Sequence, residues 1–419
     1  MAEFSAKERL IASMLSAMPG VKKVVKNAYV RLNALVYRKD YTRKVNLPGK
    51  ELCFVDDTPG VETFFGYYDK CCARNGKVVY HRTTGQKTSR KPTAKQPVEI
   101  VLKDLNSGKE TVIAKTYSYN WQQGARVHWL SDDEVIFNTL DGDKYVANIY
   151  SLSVGKIIRT LPKPVQDSHP SGKMLAINYE RIMRLRPDYG YRNLPEISDA
   201  AMDDVDNDGI WLVDTTTGDS RLLHSLGHIS SVSPKPLFDK CRHVANHLMF
   251  SPDGKGFIFI HRFYEGKRRH DRLMYFDFNT LRVLVDEDMV SHCHWIDNER
   301  IVGFLRYNGE NAFWIINLKS GEIKKHEAMS ALRQGDGHPT VSSTGMLAFD
   351  TYPDKSRMQH LYLMKSLEDT PVEIAELHHS VSYMGESRCD LHPRFSAEGD
   401  TLFFDTVCDG RRRLAYIKL

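Results

Sequence analysis

Cys389 and His392 form a C-x-x-H pair near the end of this chain, and His292 and His338 each open an apolar stretch further upstream. Three imidazoles and one thiolate suit a tetrahedral zinc ion. A closed four-ligand set of this kind is structural, because catalytic zinc keeps one position open. Manganese, which prefers oxygen donors, fits these ligands less well. His294 follows His292 by two residues and is an alternative ligand. Any one of these histidines taken alone reads as a turn cap; the C-x-x-H with two partners points to a metal.

A second group centres on His247. His243 precedes it, and His261-Arg262 closes the stretch after the next turn, so a strand pair returns both toward the same end. Residues 181–191 (RIMRLRPDYGY) add Arg186, Tyr189 and Tyr191, and residues 121–129 (WQQGARVHW) add Arg126 and His128. Arginine pairs bidentately with carboxylates, tyrosine moves a proton to or from oxygen, and a neutral imidazole accepts a proton near pH 7. These residue types predict a site for an acidic ligand. His247, Arg262, Tyr189 and Tyr191 are its catalytic candidates, and Arg126, His128, Arg186 and His261 its binding candidates.

Side chains so far apart in sequence meet only if distant stretches repeat one geometry. Seven copies of strand, turn, strand occur at residues 67–81, 128–138, 169–179, 247–261, 292–304, 338–351 and 392–406, most opened by a histidine. Hairpins with polar turns follow, as at 100–113, 210–223, 273–285 and 313–324. Two pairs make a four-stranded sheet, and seven such sheets bury both faces only by packing radially about an axis. The expected fold is all-β: a seven-bladed β-propeller over 46–419 with an N-terminal helical extension over 1–45. The last unit stops one strand short after residues 413–419. A strand from 44–56, where ELCFVD has strand character, is expected to complete it and remove an open edge.

The extension is basic, with ten Lys or Arg against three Asp or Glu in residues 1–45. It reads as helix to Met18, breaks at Pro19-Gly20 and resumes over 21–37. There Val24, Val25, Ala28, Tyr29, Leu32, Leu35 and Val36 recur at helical spacing among Lys22, Lys23, Lys26 and Arg31. Two readings remain open: peripheral contact with an anionic membrane, or packing of the stripe against the propeller. Seven cysteines at irregular spacing argue against a disulfide framework and for a reducing compartment. A cytoplasmic protein, peripheral at the inner membrane, fits best; a periplasmic one fits less well, since no clean cleavage site follows the short apolar core at 10–18. The sequence holds no P-loop, dinucleotide fingerprint, G-x-S-x-G or H-E-x-x-H. With the positive excess confined to the extension, no nucleic-acid partner is expected.

NHLMFSPDGKGFIFIHRF (246–263), VSHCHW (290–295), GDGHPT (335–340) followed by FDTYPD (349–354), and RCDLHPRFS (388–396) occur together. In combination they resemble the propeller-type polysaccharide lyases, that is the oligogalacturonate lyases and, still more, the seven-bladed ulvan lyases, over residues 50–419. The resemblance implies cleavage of a uronic-acid-containing oligo- or polysaccharide by β-elimination. It places His247 at the base position of the oligogalacturonate lyases and His292, with Trp295, at their H-x-x-W metal histidine. Where those enzymes use a Gln and a further His for manganese, this chain has Cys389 and Arg394, which resembles the structural zinc of the ulvan lyases. The competing expectation is a non-catalytic glycan-binding or scaffold propeller in surface polysaccharide assembly.

Overall fold

The computed structural model describes residues 19–419. From Arg43 onward the chain forms seven antiparallel sheets, the blades of a β-propeller, preceded by the helix Pro19–Val36. The first half of the extension read as helix to Met18 lies outside the described residues. In the fourth blade Arg242–Phe250, Phe257–Glu265, Arg268–Phe276 and Leu281–Val285 pair in sequence order from the axis outward. Its two inner strands are buried along nearly their whole length, sandwiched between neighbouring blades. A strand covered on both sides reads as a continuous apolar run and not as an alternation, as FIFIHRF does.

One of the six histidine-opened copies is out of register. His169 ends its inner strand, Val165–His169, and does not open it. Its ring caps the next blade's turn through the Pro252 carbonyl at 3.1 Å and lies where a β-carbon on Gly254 would stand. Gly254 has φ +66°, so both the turn and the approaching ring require glycine there.

The ring is closed by the N-terminal segment, which crosses three blades. Arg43–Val45 pairs with Val372–His378 as a fifth strand of the sixth blade. Cys53–Phe54 then supplies the outer strand of the seventh blade against Arg413–Lys418, with Cys53 opposite Tyr416. Thr63–Phe64 joins the first blade through Lys77–Thr83. Arg413 fastens the crossing: its guanidinium lies 3.9 Å over the Phe54 ring and 2.6 Å from Asp57. Arg43–Val45, although inside the segment set apart at 1–45, thus belongs to the propeller sheets.

The two faces of the ring differ because the connections alternate. Inner pairs are joined by short turns on one face, as at 170–172 and 296–299. On the other face lie the long connections 84–97, 177–208, 226–241 and 379–393. Sites are built where such segments gather on a rigid scaffold. The helix Pro19–Val36 also lies on this face, against residues 352–357 and 379–390.

Two outcomes follow from the stitching. Deleting 413–419 exposes the Cys53–Phe54 edge and the seventh blade's core together, so thermal unfolding of the whole ring should shift down in one transition. An unchanged midpoint contradicts this closure. Where the segment crosses the sixth blade, Asn46 donates to Glu373 at 3.0 Å and Tyr41 donates to Glu376. His360 lies beside them, 2.9 Å from Glu373 and 3.6 Å from Asp354. Burial opposes its charge, but Asp354 and Glu373 outweigh burial and hold its pKa up to about 9. A raised histidine stabilises fully below its unfolded pKa of about 6.5, and that stabilisation is lost as pH climbs through the folded value. His360→Gln should therefore unfold below wild type at pH 6, with the gap closing as pH passes about 9. A gap that is constant with pH contradicts this assignment.

Candidate functional site

Blades five, six and seven bring His292, His338 and His392 side by side on the long-connection face, near the axis. Ring centroids lie 4.0 Å apart for His292 and His338 and 4.3 Å apart for His338 and His392. Each Nδ1 is held from behind. His338 faces Asp350 at 2.7 Å, His292 faces Asp336 at 3.1 Å, and His392 donates to the Gly66 carbonyl at 2.8 Å. With Nδ1 committed to an acceptor, the lone pair of each neutral ring sits on Nε2. The Nε2 atoms of His338 and His392 are buried with no hydrogen-bond partner. Imidazoles held by an acceptor on one nitrogen and bare on the other are set as metal ligands. Burial opposes charge on His338, but Asp350 outweighs it and raises the pKa; burial and the neighbouring His338 hold His392 well below the ordinary value.

The fourth ligand candidate is Asp390. One donor atom each from His338, Asp390 and His392 lies within 4.8 Å of the others. Asp390 and His392 are two residues apart, and both turn a donor atom toward His338. Cys389 falls on the other side, buried with Tyr383 and Val407, and burial pushes its thiol up to about 12. The C-x-x-H spacing does not bring its cysteine to the histidines. Between the two alternatives offered by H-C-H, His292 joins the cluster. His294 bonds the Trp295 carbonyl and lines a depression on the short-turn face.

The second half of the site faces these ligands. Tyr67 OH lies 2.5 Å from His247 Nδ1, and its ring also packs edge-on against His392, with centroids 4.9 Å apart. His247 and His392 both have left-handed backbone, φ 53° and 47°. That conformation costs a residue with a β-carbon about 1–2 kcal/mol and persists where surroundings over-determine it. Here the His392 amide donates to Asp350 at 2.9 Å and the His247 amide to Asn246 at 2.8 Å. Burial, reinforced by Arg262, keeps His247 well below its usual pKa and hence neutral. Tyr189 lies edge-on to both Tyr67 and His247. Arg186 stacks on Tyr189 at 4.8 Å, and Arg388 spans Asp188, Asp390 and the Tyr189 hydroxyl.

Several charged atoms here are buried without a hydrogen bond. They include Nε and Nη1 of Arg262, Nη1 of Arg186 and both carboxylate oxygens of Asp271, which lies 3.5 Å from Arg262. Buried polar groups are normally satisfied, so a cluster of exceptions marks a place for a polar ligand. A cleft of about 250 Å³ beside the cluster is lined by Arg388 and Asp390 and bordered by Lys26, Tyr29, Val30 and Asn33 of the helix.

The structure thus brings together His247, Arg262, Tyr189, Arg186, His292, His338 and His392. Four other candidates lie apart from them, held by other partners. Tyr191 stacks on Tyr179 at 4.3 Å and accepts from Asn138. Arg126 is clamped bidentately to Asp69 at 2.8 and 2.9 Å. His128 bonds Ser168 and the Arg126 carbonyl, and His261 bonds His243 and Arg272. His261 and Arg262 are consecutive on one strand and so point to opposite sides. Tyr67, Asp188, Arg388 and Asp390 are site residues that the sequence reading passed over. For Asp390 and Arg388 the signal was present, in the R-C-D-L-H run itself.

No family model matches the sequence, and no curated protein matches it. Among solved structures, the fold is similar to an oligogalacturonate lyase in complex with manganese, with a TM-score of 0.62 and 16 % identity over 90 % of this chain and 95 % of that one. It is likewise similar to the oligogalacturonate lyase of Vibrio parahaemolyticus, with a TM-score of 0.58 and 12 % identity over 90 % of this chain and 96 % of that one. At these identities the likeness is one of fold.

Proposed function

We propose that this propeller binds a uronate-containing glycan and cleaves it by β-elimination at a site shared by a divalent metal. The observation that carries this reading is the pair of orphaned Nε2 atoms on His338 and His392, beside Asp390 and opposite the Tyr67–His247 pair. His292, His338, His392 and Asp390 would hold the ion. Exchange of the expected thiolate for a carboxylate removes the soft ligand that favoured zinc and makes the set hospitable to manganese. When bound, such a cation supplies positive charge that acidifies the proton α to a uronate carboxylate.

The chain's own residues provide the rest. Arg262 and Arg388 are positioned to hold the carboxylate of the acidic sugar and to offset the charge that develops on it. Neutral His247 takes the C5 proton, the released pair forms the C4–C5 double bond, and the C4–O bond breaks. Tyr67 gives its proton to the departing glycosidic oxygen and recovers one from His247 through their hydrogen bond. Tyr189 packs against both rings and fixes their orientation.

Two measurements test this. In the first, wild-type protein is incubated with uronate oligosaccharides and the ultraviolet absorbance of the unsaturated product is followed. His247→Ala and Tyr67→Phe should lower the rate by about 100-fold or more, the usual contribution of a positioned acid or base. Arg262→Ala should chiefly weaken substrate binding. Binding without product in wild type would make this a glycan-binding propeller and overturn the lyase reading. In the second, metal is counted in purified protein. Asp390→Ala and His392→Ala should lose it while Cys389→Ser retains it; the reverse pattern would restore the cysteine-ligated site.

A further inference from the structure

The helix Pro19–Val36 meets the propeller along one side only. At about 100° per residue, Val21, Val24, Val25, Ala28, Leu32, Leu35 and Val36 fall within one arc of about 120°, and all seven are exposed. Val24, Leu32, Leu35 and Val36 keep 69, 62, 72 and 66 % of their surface. Lys26, Tyr29, Val30 and Asn33 occupy the adjacent arc and border the cleft over Arg388 and Asp390. Scattered apolar residues on a surface are ordinary, but a continuous apolar stripe is not. The same stretch holds Lys22, Lys23, Lys26, Arg31, Arg38 and Lys39 against a single acidic residue, Asp40.

We infer that this helix docks in the headgroup layer of an anionic bilayer, its valine and leucine stripe among the acyl chains and its basic residues against lipid phosphates. Two observations select lipid over a protein groove. The exposed part of the stripe is made only of Val, Leu and Ala, since Tyr29 is part-buried beside the cleft, and it offers no aromatic or hydrogen-bonding side chain to give a protein partner specificity. The surrounding charge is positive and complements an anionic surface. Among the described residues no helix is long and apolar enough to cross a membrane, so the helix lies in the interface. Since its adjacent arc borders the cleft, docking holds the cleft mouth against the membrane. Resting on the proposed function, this makes the ligand an acidic glycan presented at a membrane surface; the docking itself does not depend on that reading.

The test is sedimentation of the full chain with vesicles of phosphatidylcholine and phosphatidylglycerol, and with phosphatidylcholine alone. Wild type should bind the anionic vesicles and release at about 1 M salt, where the Debye length is about 3 Å. The double variant Leu32→Asp, Leu35→Asp should bind about tenfold less or worse, with an unchanged unfolding midpoint and undiminished turnover of a soluble uronate glycan. Equal sedimentation of wild type and variant overturns the proposal. So does a lowered midpoint in the variant, which would show that residues 1–18 of this chain cover the stripe. So does a wild-type dimer that the variant abolishes, which would show that a second copy covers it. A chain that binds anionic vesicles but turns over no glycan leaves the docking standing and removes only the proposed function.

Discussion

Closure of the ring is the constraint on which the rest of this structure depends. The histidines at the axis come from blades four to seven, and Tyr67 comes from the crossing into the first; they meet only while the blades stand at one radius. The seal is a short pairing, Cys53–Phe54 against Arg413–Lys418, extended on either side by Arg43–Val45 and Thr63–Phe64. A single segment spanning three blades converts a linear series of sheets, each needing only its neighbours, into a cooperative ring. Gly66 follows immediately, with φ +117°. Its amide donates to Asp405 at 2.9 Å and its carbonyl accepts from His392 at 2.8 Å. The segment that shuts the ring thus also orients a metal-ligand candidate. A β-carbon at Gly66 would stand 2.7 Å from the Gln123 carbonyl carbon, so the position accepts no other residue.

The axis region is built from buried charge, and the way that charge is neutralised separates scaffold from site. Arg126 with Asp69, and Arg181 with Asp208, are tight ion pairs whose guanidiniums also donate to backbone carbonyls. Removing one partner of such a pair leaves an uncompensated buried ion, so these arginines serve the fold. Nearer the axis, Arg262 faces Asp271 at 3.5 Å without a hydrogen bond, and His338 and His392 each keep a buried Nε2 with no hydrogen-bond partner. Folding alone would not select groups that lose hydration without return, whereas a ligand arriving from solvent would satisfy them.

The alternation of connections gives the molecule two unlike faces. Short turns hold the ring together on one side, as where His169 caps the following turn, and the long segments on the other side carry the arginines and carboxylates that border the cleft. The helix lies over this second face. One side of it borders the cleft, and its apolar arc looks away from the body.

Much of the architecture was legible in the sequence, because strand periodicity and turn residues are local and repeat. The blade count, the outer hairpins and the closing strand at 51–56 all rest on patterns within about fifteen residues, and so does the convergence of His292, His338 and His392, which follows once the repeat is recognised. What was not legible depends on the side to which a residue points. Cys389 and Asp390 are adjacent, as are His261 and Arg262, and in each pair only the second faces the site. Tyr189 and Tyr191 both looked suited to proton transfer, yet Tyr191 stacks on Tyr179. Residue types and spacing determined the blades and the candidate chemistry. Only the tertiary structure decided which atoms share the axis, because a one-residue step along an extended chain turns a side chain to the opposite face at no cost visible in the sequence.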